Sequence, residues 1–277
     1  MKRKRTMHLG VMVRLDDMNV DARFKQVYDY GFKYCQLCNW KMEHYTDEAA
    51  ELVRAAKEKY GVTITSLWCG WEGPRVWNFY EGYKTLGLVP REYREARISN
   101  LKLGSDFAKK LGIKQVVTHA GFLPEDPTSE IYTEVVAALR EIAEYCKANG
   151  QYFLFETGQE TPVTLLRVID DVGTGNLGIN LDPANLILYG KANPVDALDV
   201  FGRYVMDIHA KDGIYPTDGK SLGKEVRIGE GKVDFPRFIA RLREIGYDSS
   251  LIIEREISGE QQIKDIVESK KYLEELI

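Results

Sequence analysis

Four short apolar runs in the second half of the chain each finish on a residue able to bind a cation or move a proton. They are Tyr152-Phe-Leu-Phe-Glu156, Gly178-Ile-Asn-Leu-Asp182, Val205-Met-Asp-Ile-His209 and Leu251-Ile-Ile-Glu254. The chain has 42 Asp plus Glu and 4 His among 277 residues, so four such endings in a row arise by chance roughly once in a thousand. If the four ends converge, three carboxylates share one pocket and repel one another unless a cation neutralises them. Three oxygen donors and one imidazole suit Mn²⁺, Mg²⁺ or Co²⁺, with Zn²⁺ a further candidate. One divalent ion per chain is expected on Glu156, Asp182, His209 and Glu254, with Mn²⁺ favoured. Glu256 shares a face with Glu254 by strand alternation and is the rival fourth ligand.

Weaker candidates surround these four. His119 ends another apolar run and is expected to meet substrate at the same mouth, while Lys211 and Asp212 follow His209 closely enough to orient it or to contact substrate. Arg227 stands in a long loop within reach of a hydroxyl-rich or anionic ligand. Trp68, with Trp71 and Trp77, supplies an apolar wall for a sugar face or an aglycone. Cys35-Gln-Leu-Cys38 has the spacing of a thiol pair, but an extended strand there turns the two side chains to opposite faces.

These residues need a scaffold that brings strand ends together, and the chain repeats one unit throughout: helix, Gly, apolar strand. Gly31, Gly61, Gly112, Gly150 and Gly246 each stand before such a run, where a helix C-terminus needs a left-handed residue. Ile131, Val135, Leu139, Ile142 and Cys146 follow helical spacing behind Asp126-Pro127, read as a cap and first-turn proline. Further helices are marked by Phe235, Phe238, Ile239 and Leu242, and by Ile263, Ile266, Val267 and Leu273. Strands are expected near 8–13, 33–38, 62–69, 115–119, 151–156, 177–182, 204–209 and 250–256. They are apolar on both faces, as parallel strands under helices must be. Eight strands alternating with eight helical stretches, and no linker, predict one α/β domain over 1–277, a single (β/α)8 TIM barrel. Segments 70–90 and 211–233 follow strands, so they fall over the C-terminal face, where barrel active sites are built.

The phrases Phe155-Glu156-Thr157-Gly158, Asn180-Leu-Asp182-Pro183-Ala-Asn185, Ile208-His209-Ala-Lys211-Asp212 and Gly229-Glu-Gly231-Lys-Val-Asp234-Phe235, then Gly246-Tyr247 and Ile252-Ile-Glu254-Arg-Glu256, carry a resemblance. They resemble the sugar phosphate isomerase/epimerase, or xylose-isomerase-like, barrel superfamily, best between about 115 and 258. Similarity to its D-tagatose 3-epimerase branch implies that Glu156, Asp182, His209 and Glu254 hold one metal, and that Glu156 and Glu254 are also the catalytic acid/base pair. It implies isomerisation or epimerisation of a keto-sugar or sugar phosphate through an enediolate. A leaving group β to the carbanion would turn the same site into a lyase or dehydratase. The chain departs from that branch in carrying Asn185 where the branch has His, and Gln159 and Glu160 where it has a Glu at other spacing. The apurinic endonuclease branch needs more histidines and a phosphate-binding surface than this chain offers.

Composition agrees. Lys plus Arg number 38 against 42 acidic residues, a net charge of −4, which excludes the basic surface a nucleic acid requires. No apolar run approaches the ~20 residues of a membrane span, and the basic start Met1–Arg5 is not followed by a signal-peptide pattern. Four cysteines make no disulfide framework. A cytoplasmic enzyme on a small sugar, with neither nucleic-acid nor membrane partner and with room for homo-oligomers, is the expectation.

Overall fold

The computed structural model describes residues 7–277, so the basic start Met1–Arg5 lies outside the described residues. In chain order the elements are β1 (His8–Arg14), α1 (Val20–Asp29), β2 (Tyr34–Asn39), α2 (Asp47–Tyr60), β3 (Thr63–Cys69), α3 (Gly82–Thr85), α4 (Arg91–Lys110), β4 (Gln115–Thr118), α5 (Glu130–Ala148) and β5 (Tyr152–Glu156). There follow α6 (Pro162–Val172), β6 (Leu177–Leu181), α7 (Pro183–Leu188), α8 (Pro194–Phe201), β7 (Val205–Ala210), β8 (Asp212–Ile214), β9 (Lys224–Val226), α9 (Phe235–Ile245), β10 (Ser250–Ile253) and α10 (Glu260–Glu274). Eight parallel strands close a barrel in the order β1-β10-β7-β6-β5-β4-β3-β2. This is the (β/α)8 barrel expected from the repeat.

Side-chain alternation along each strand divides the core in two. Phe153 and Phe155 of β5 face outward into the layer between strands and helices, where Phe24, Val53, Phe107, Leu139, Leu165, Phe201 and Phe238 are fully or almost fully buried. Leu154 faces inward beside Val117 and Trp68. Cys35 packs in the outer layer and Cys38 in the inner one, so the two thiols do point apart.

The helices end where the sequence says they must. Gly61 and Gly246 take φ of 62° and 81° at the C-caps of α2 and α9, and α9 buries Phe235, Phe238, Ile239 and Leu242 behind a first-turn Pro236. Burial of each such side chain contributes about 1.5–3 kcal/mol.

Two expectations shift. The cap of α5 is Ser129, whose hydroxyl accepts from Tyr132 N–H. Asp126 is spent three residues earlier, where its carboxylate accepts from the backbone N–H and hydroxyl of Thr128. The last barrel strand stops at Ile253, short of residue 256. The long segments over the C-terminal face also carry structure of their own. Segment 70–90 holds the single-turn α3, and segment 211–233 holds the antiparallel β8-β9 hairpin.

Candidate metal centre and active site

Each expected metal ligand stands at the C-terminal end of its strand. Glu156 ends β5, His209 is the penultimate residue of β7, Asp182 directly follows β6 and caps α7, and Glu254 directly follows β10. One ligand atom from each lies within 4.8 Å of all the others, and all four residues are buried. His209 Nδ1 is at the centre, 3.0 Å from Glu156 Oε1, 3.3 Å from Glu254 Oε2 and 4.0 Å from Asp182 Oδ2.

The two carboxylate oxygens of Asp182 differ in their surroundings. Its Oδ1 accepts from Asn185 N–H at 2.8 Å, as a helix cap does, whereas its Oδ2, also buried, has no hydrogen-bond partner. Hard divalent cations bind oxygen at about 2.0–2.6 Å, so ligand atoms on opposite sides of one ion lie about 4–5 Å apart. The 4.8 Å spread and a carboxylate oxygen left without a hydrogen bond therefore fit a single divalent ion.

The electrostatics point the same way. Burial pushes the His209 imidazole down, but the carboxylates of Glu156 and Glu254 outweigh it and hold the ring well above its ordinary range. Burial raises the Asp182 carboxyl to about 7 against the pull of Lys211. For Glu156 the cost of burial is overcome by His119 and His209, and for Glu254 by Lys211 and His209, so both lie below the usual carboxylate range. Three buried carboxylates thus keep positive charge in their midst.

Three of the five expected substrate residues reach this site. Trp68 Nε1 donates to Glu156 Oε2. His119 places Nδ1 3.2 Å from the Glu156 carbonyl oxygen and Nε2 3.2 Å from its Oε2. Burial outweighs the pull of the Glu156 carboxylate and lowers the His119 pKa. Lys211 is buried with Nζ 3.3 Å from Glu254, 3.5 Å from Asp182 and 2.8 Å from Glu256.

The other two are turned to different work. Both carboxylate oxygens of Asp212 accept backbone N–H groups, from Gly213, Gly229, Gly231 and Val233 at 2.8 to 3.1 Å, so this residue folds its own loop. Arg227 pairs with Glu230 and with Glu268 on α10, and it does not line the cavity described below. Glu256 falls past the end of β10, and its half-exposed carboxylate meets Lys211 without joining the four-residue cluster.

A buried polar layer beneath the site has no counterpart among the expected residues. Gln36 Nε2 donates to Ser66 Oγ at 2.7 Å and Asn180 Oδ1 at 3.0 Å, and Asp207 Oδ2 accepts from Ser66 and Thr65. Asn180 and Asp207 stand two residues before Asp182 and His209, the spacing that keeps a strand on one face. That period was the available signal. Asn185, which stands where the epimerase branch has His, donates Nδ2–H to Glu156 Oε1 at 3.3 Å.

Above the cluster opens a cavity of about 500 Å³, lined on one side by Trp40, Trp68 and Trp77 and elsewhere by His119, Gln159, Asn185, Tyr189 and Leu222. Of the four clustered residues, Glu156 and Glu254 reach its wall, while Asp182 and His209 are covered. The aromatic wall is continuous, with Trp40 and Trp68 ring centres 4.7 Å apart and the Arg75 guanidinium 4.3 Å over the Trp40 ring. Among the described residues, no helix is long and apolar enough to cross a membrane.

The chain is similar to known proteins over nearly its full length. A solved xylose isomerase domain protein from Planctomyces limnophilus is 36% identical, with 98% of this chain and 97% of that one covered at a TM-score of 0.92. A solved D-tagatose 3-epimerase-like protein has the same fold at 23% identity, 98% and 97% coverage and a TM-score of 0.76. An uncharacterised protein of Methanocaldococcus jannaschii is 29% identical over 195 residues, which span 66% of this chain and 63%, under two thirds, of that protein's length. The family model described as the xylose isomerase-like TIM barrel matches residues 24–276, and the chain belongs to that family.

Proposed function

We propose that the protein is a divalent-metal-dependent isomerase or epimerase of a keto-sugar or sugar phosphate, working by proton transfer between Glu156 and Glu254. The observation that carries this reading is the division of labour in the cluster. Asp182 and His209 are sealed beneath it, whereas Glu156 and Glu254 present carboxylates to the cavity. Two covered residues and two exposed to a ligand is what a site needs if all four hold an ion and two also touch substrate.

A divalent ion held by Glu156, Asp182, His209 and Glu254, for which Mn²⁺ is our choice, would polarise a carbonyl and offset the charge of an enediolate. The residues supply the rest. Glu156 is aimed by donors from Trp68 and Asn185, and Glu254 by the Lys211 ammonium. One takes the proton from the carbon beside the carbonyl. The other, protonated when substrate is bound, gives its proton to the opposite face of that carbon, inverting it, or to the neighbouring carbon while a hydroxyl proton passes between the two oxygens, moving the carbonyl. The Trp40-Trp68-Trp77 wall offers a flat apolar face to a sugar ring. One neighbour of the same fold is named for its likeness to a D-tagatose 3-epimerase. Four buried, unbridged thiols suit the reducing cytoplasm, where we place the protein.

The test is turnover of ketoses in D₂O with Mn²⁺, followed by NMR and mass spectrometry. Deuterium at the carbon beside the carbonyl, lost in Glu156→Gln and Glu254→Gln, is the expected result. Complete retention of hydrogen in the product rejects proton transfer, and loss of water or an aglycone moves the assignment to a lyase.

A further inference from the structure

One corner of the cavity holds polar atoms that the protein itself leaves unsatisfied. Gln159 is 2% exposed and Tyr189 is 6% exposed, and both line the cavity. Neither Nε2 nor Oε1 of Gln159 has a hydrogen-bond partner, and neither has the Tyr189 hydroxyl. The carboxamide stands beside that hydroxyl without a well-formed bond to it. Buried donors and acceptors are almost always paired, because an unpaired one forfeits its bonds to water. Three unpaired polar atoms in adjoining side chains therefore call for a partner from outside the chain.

Aromatic rings frame the corner, with the Tyr189 ring edge to face with Phe79 and Phe122 at centroid distances of 6.1 and 5.8 Å. A Cβ on Gly158 would stand at ordinary contact distance, 3.4 to 3.6 Å, from His119, Asn185 and Tyr189, so these three surround the backbone leading to Gln159. The three polar atoms are covered in this arrangement, and a turn of the Gln159 carboxamide would bring its polar atoms to a ligand in the cavity.

Resting on the sugar reading above, we propose that Gln159 and Tyr189 form a hydroxyl-reading corner that selects substrates with adjacent hydroxyls beyond the reacting carbons. A carboxamide both donates and accepts, so Gln159 can give Nε2–H to one hydroxyl oxygen while Oε1 accepts the O–H of its neighbour. The Tyr189 hydroxyl completes the pair. The cavity has room for this second contact: twelve heavy atoms of one hexose at a water molecule's share of about 30 Å³ would take at most about 360 Å³, less than the 500 Å³ present. Stacking on the Trp wall with hydroxyl edges turned to this corner is the arrangement an amphipathic ring requires.

The test uses the Mn²⁺-loaded full chain and its Gln159→Leu and Tyr189→Phe variants, with D-fructose, D-tagatose and D-psicose as probes in thermal denaturation and calorimetry. Without sugar, both variants should melt at or above the wild-type midpoint, since each loses an unpaired buried polar group. The ketose that raises the wild-type midpoint most should bind each variant about tenfold more weakly. Lower midpoints for both variants without sugar would make the two residues structural and overturn the proposal. Unchanged affinities, or no ketose shifting the wild-type midpoint, would overturn it as well. Binding that depends on the corner without any turnover would keep this inference and reject the isomerase reading.

Discussion

The carboxamide oxygen of Gln36 lies 2.7 Å from Nε2 of His209, across the interior of the barrel from β2 to β7. Because the Gln36 amide nitrogen donates to Ser66 and Asn180, its oxygen must face the imidazole, and Nε2 must carry the proton. Nδ1 is thereby turned toward the three carboxylates. Replacing Gln36 with Leu should leave the four ligands in place yet weaken Mn²⁺ affinity by about 10- to 100-fold. Titration calorimetry reads this directly, and an unchanged affinity would remove Gln36 from the positioning of His209.

Glu254 and Glu256 stand two positions apart and differ in their surroundings. Glu254 is buried against His209 and Lys211, whereas Glu256 is half exposed and meets Lys211 alone of these two. Glu254→Gln should lower Mn²⁺ affinity more than about 100-fold, beyond what loss of an outer hydrogen bond costs. Glu256→Gln should change it less than about threefold. The reverse pattern would transfer the fourth ligand to Glu256.

Those two residues also show where the sequence is readable. The ends of β5, β6 and β7 can be read because a charged residue interrupts an apolar run, and burial on both faces permits few such interruptions. The end of β10 is obscured because Glu254-Arg255-Glu256 continues a period of two after the hydrogen bonding has stopped. Asp212 misleads for another reason. An acid beside a metal-ligand His looks chemical, and its four backbone partners come from residues 213 to 233, which no local pattern discloses. The corner at Gln159 and Tyr189 is equally silent, since unpaired atoms exist only once the fold has enclosed them.

The Asp212 loop yields a prediction of its own. A carboxylate accepting four backbone N–H groups ties β8 to the turn at Gly229 and Gly231, and a Cβ on Gly231 would stand 2.0 Å from Asp212 Oδ1. Asp212→Ala leaves those donors without their acceptor and should cost about 3 kcal/mol or more. It should also open residues 213–233 to protease. Gly231→Ala should do the same by collision. Equal denaturation midpoints and cleavage rates for wild type and both variants would contradict this role.

Glu160 gives the fold a pH dependence that can be isolated. Its carboxyl is buried, its Oε1 has no partner, and burial pushes its pKa up to about 8. The folded pKa therefore lies above the unfolded value near ~4.3, so the folded protein holds a proton that the unfolded chain releases. Its contribution to stability is complete below the unfolded pKa and is lost as the pH rises through about 8. Glu160→Gln removes the titration and keeps a neutral side chain of the same shape. Denaturant unfolding from pH 5 to 8.5 should show wild type losing on the order of a few kcal/mol relative to the variant, at about 1.4 kcal/mol for each pH unit crossed between the unfolded and folded pKa values. Parallel stability curves for the two proteins would mean that Glu160 is ionised in the fold. In that case the backbone N–H groups of Glu160 and Gly158, together with the Lys191 ammonium, must prevail over burial at this position.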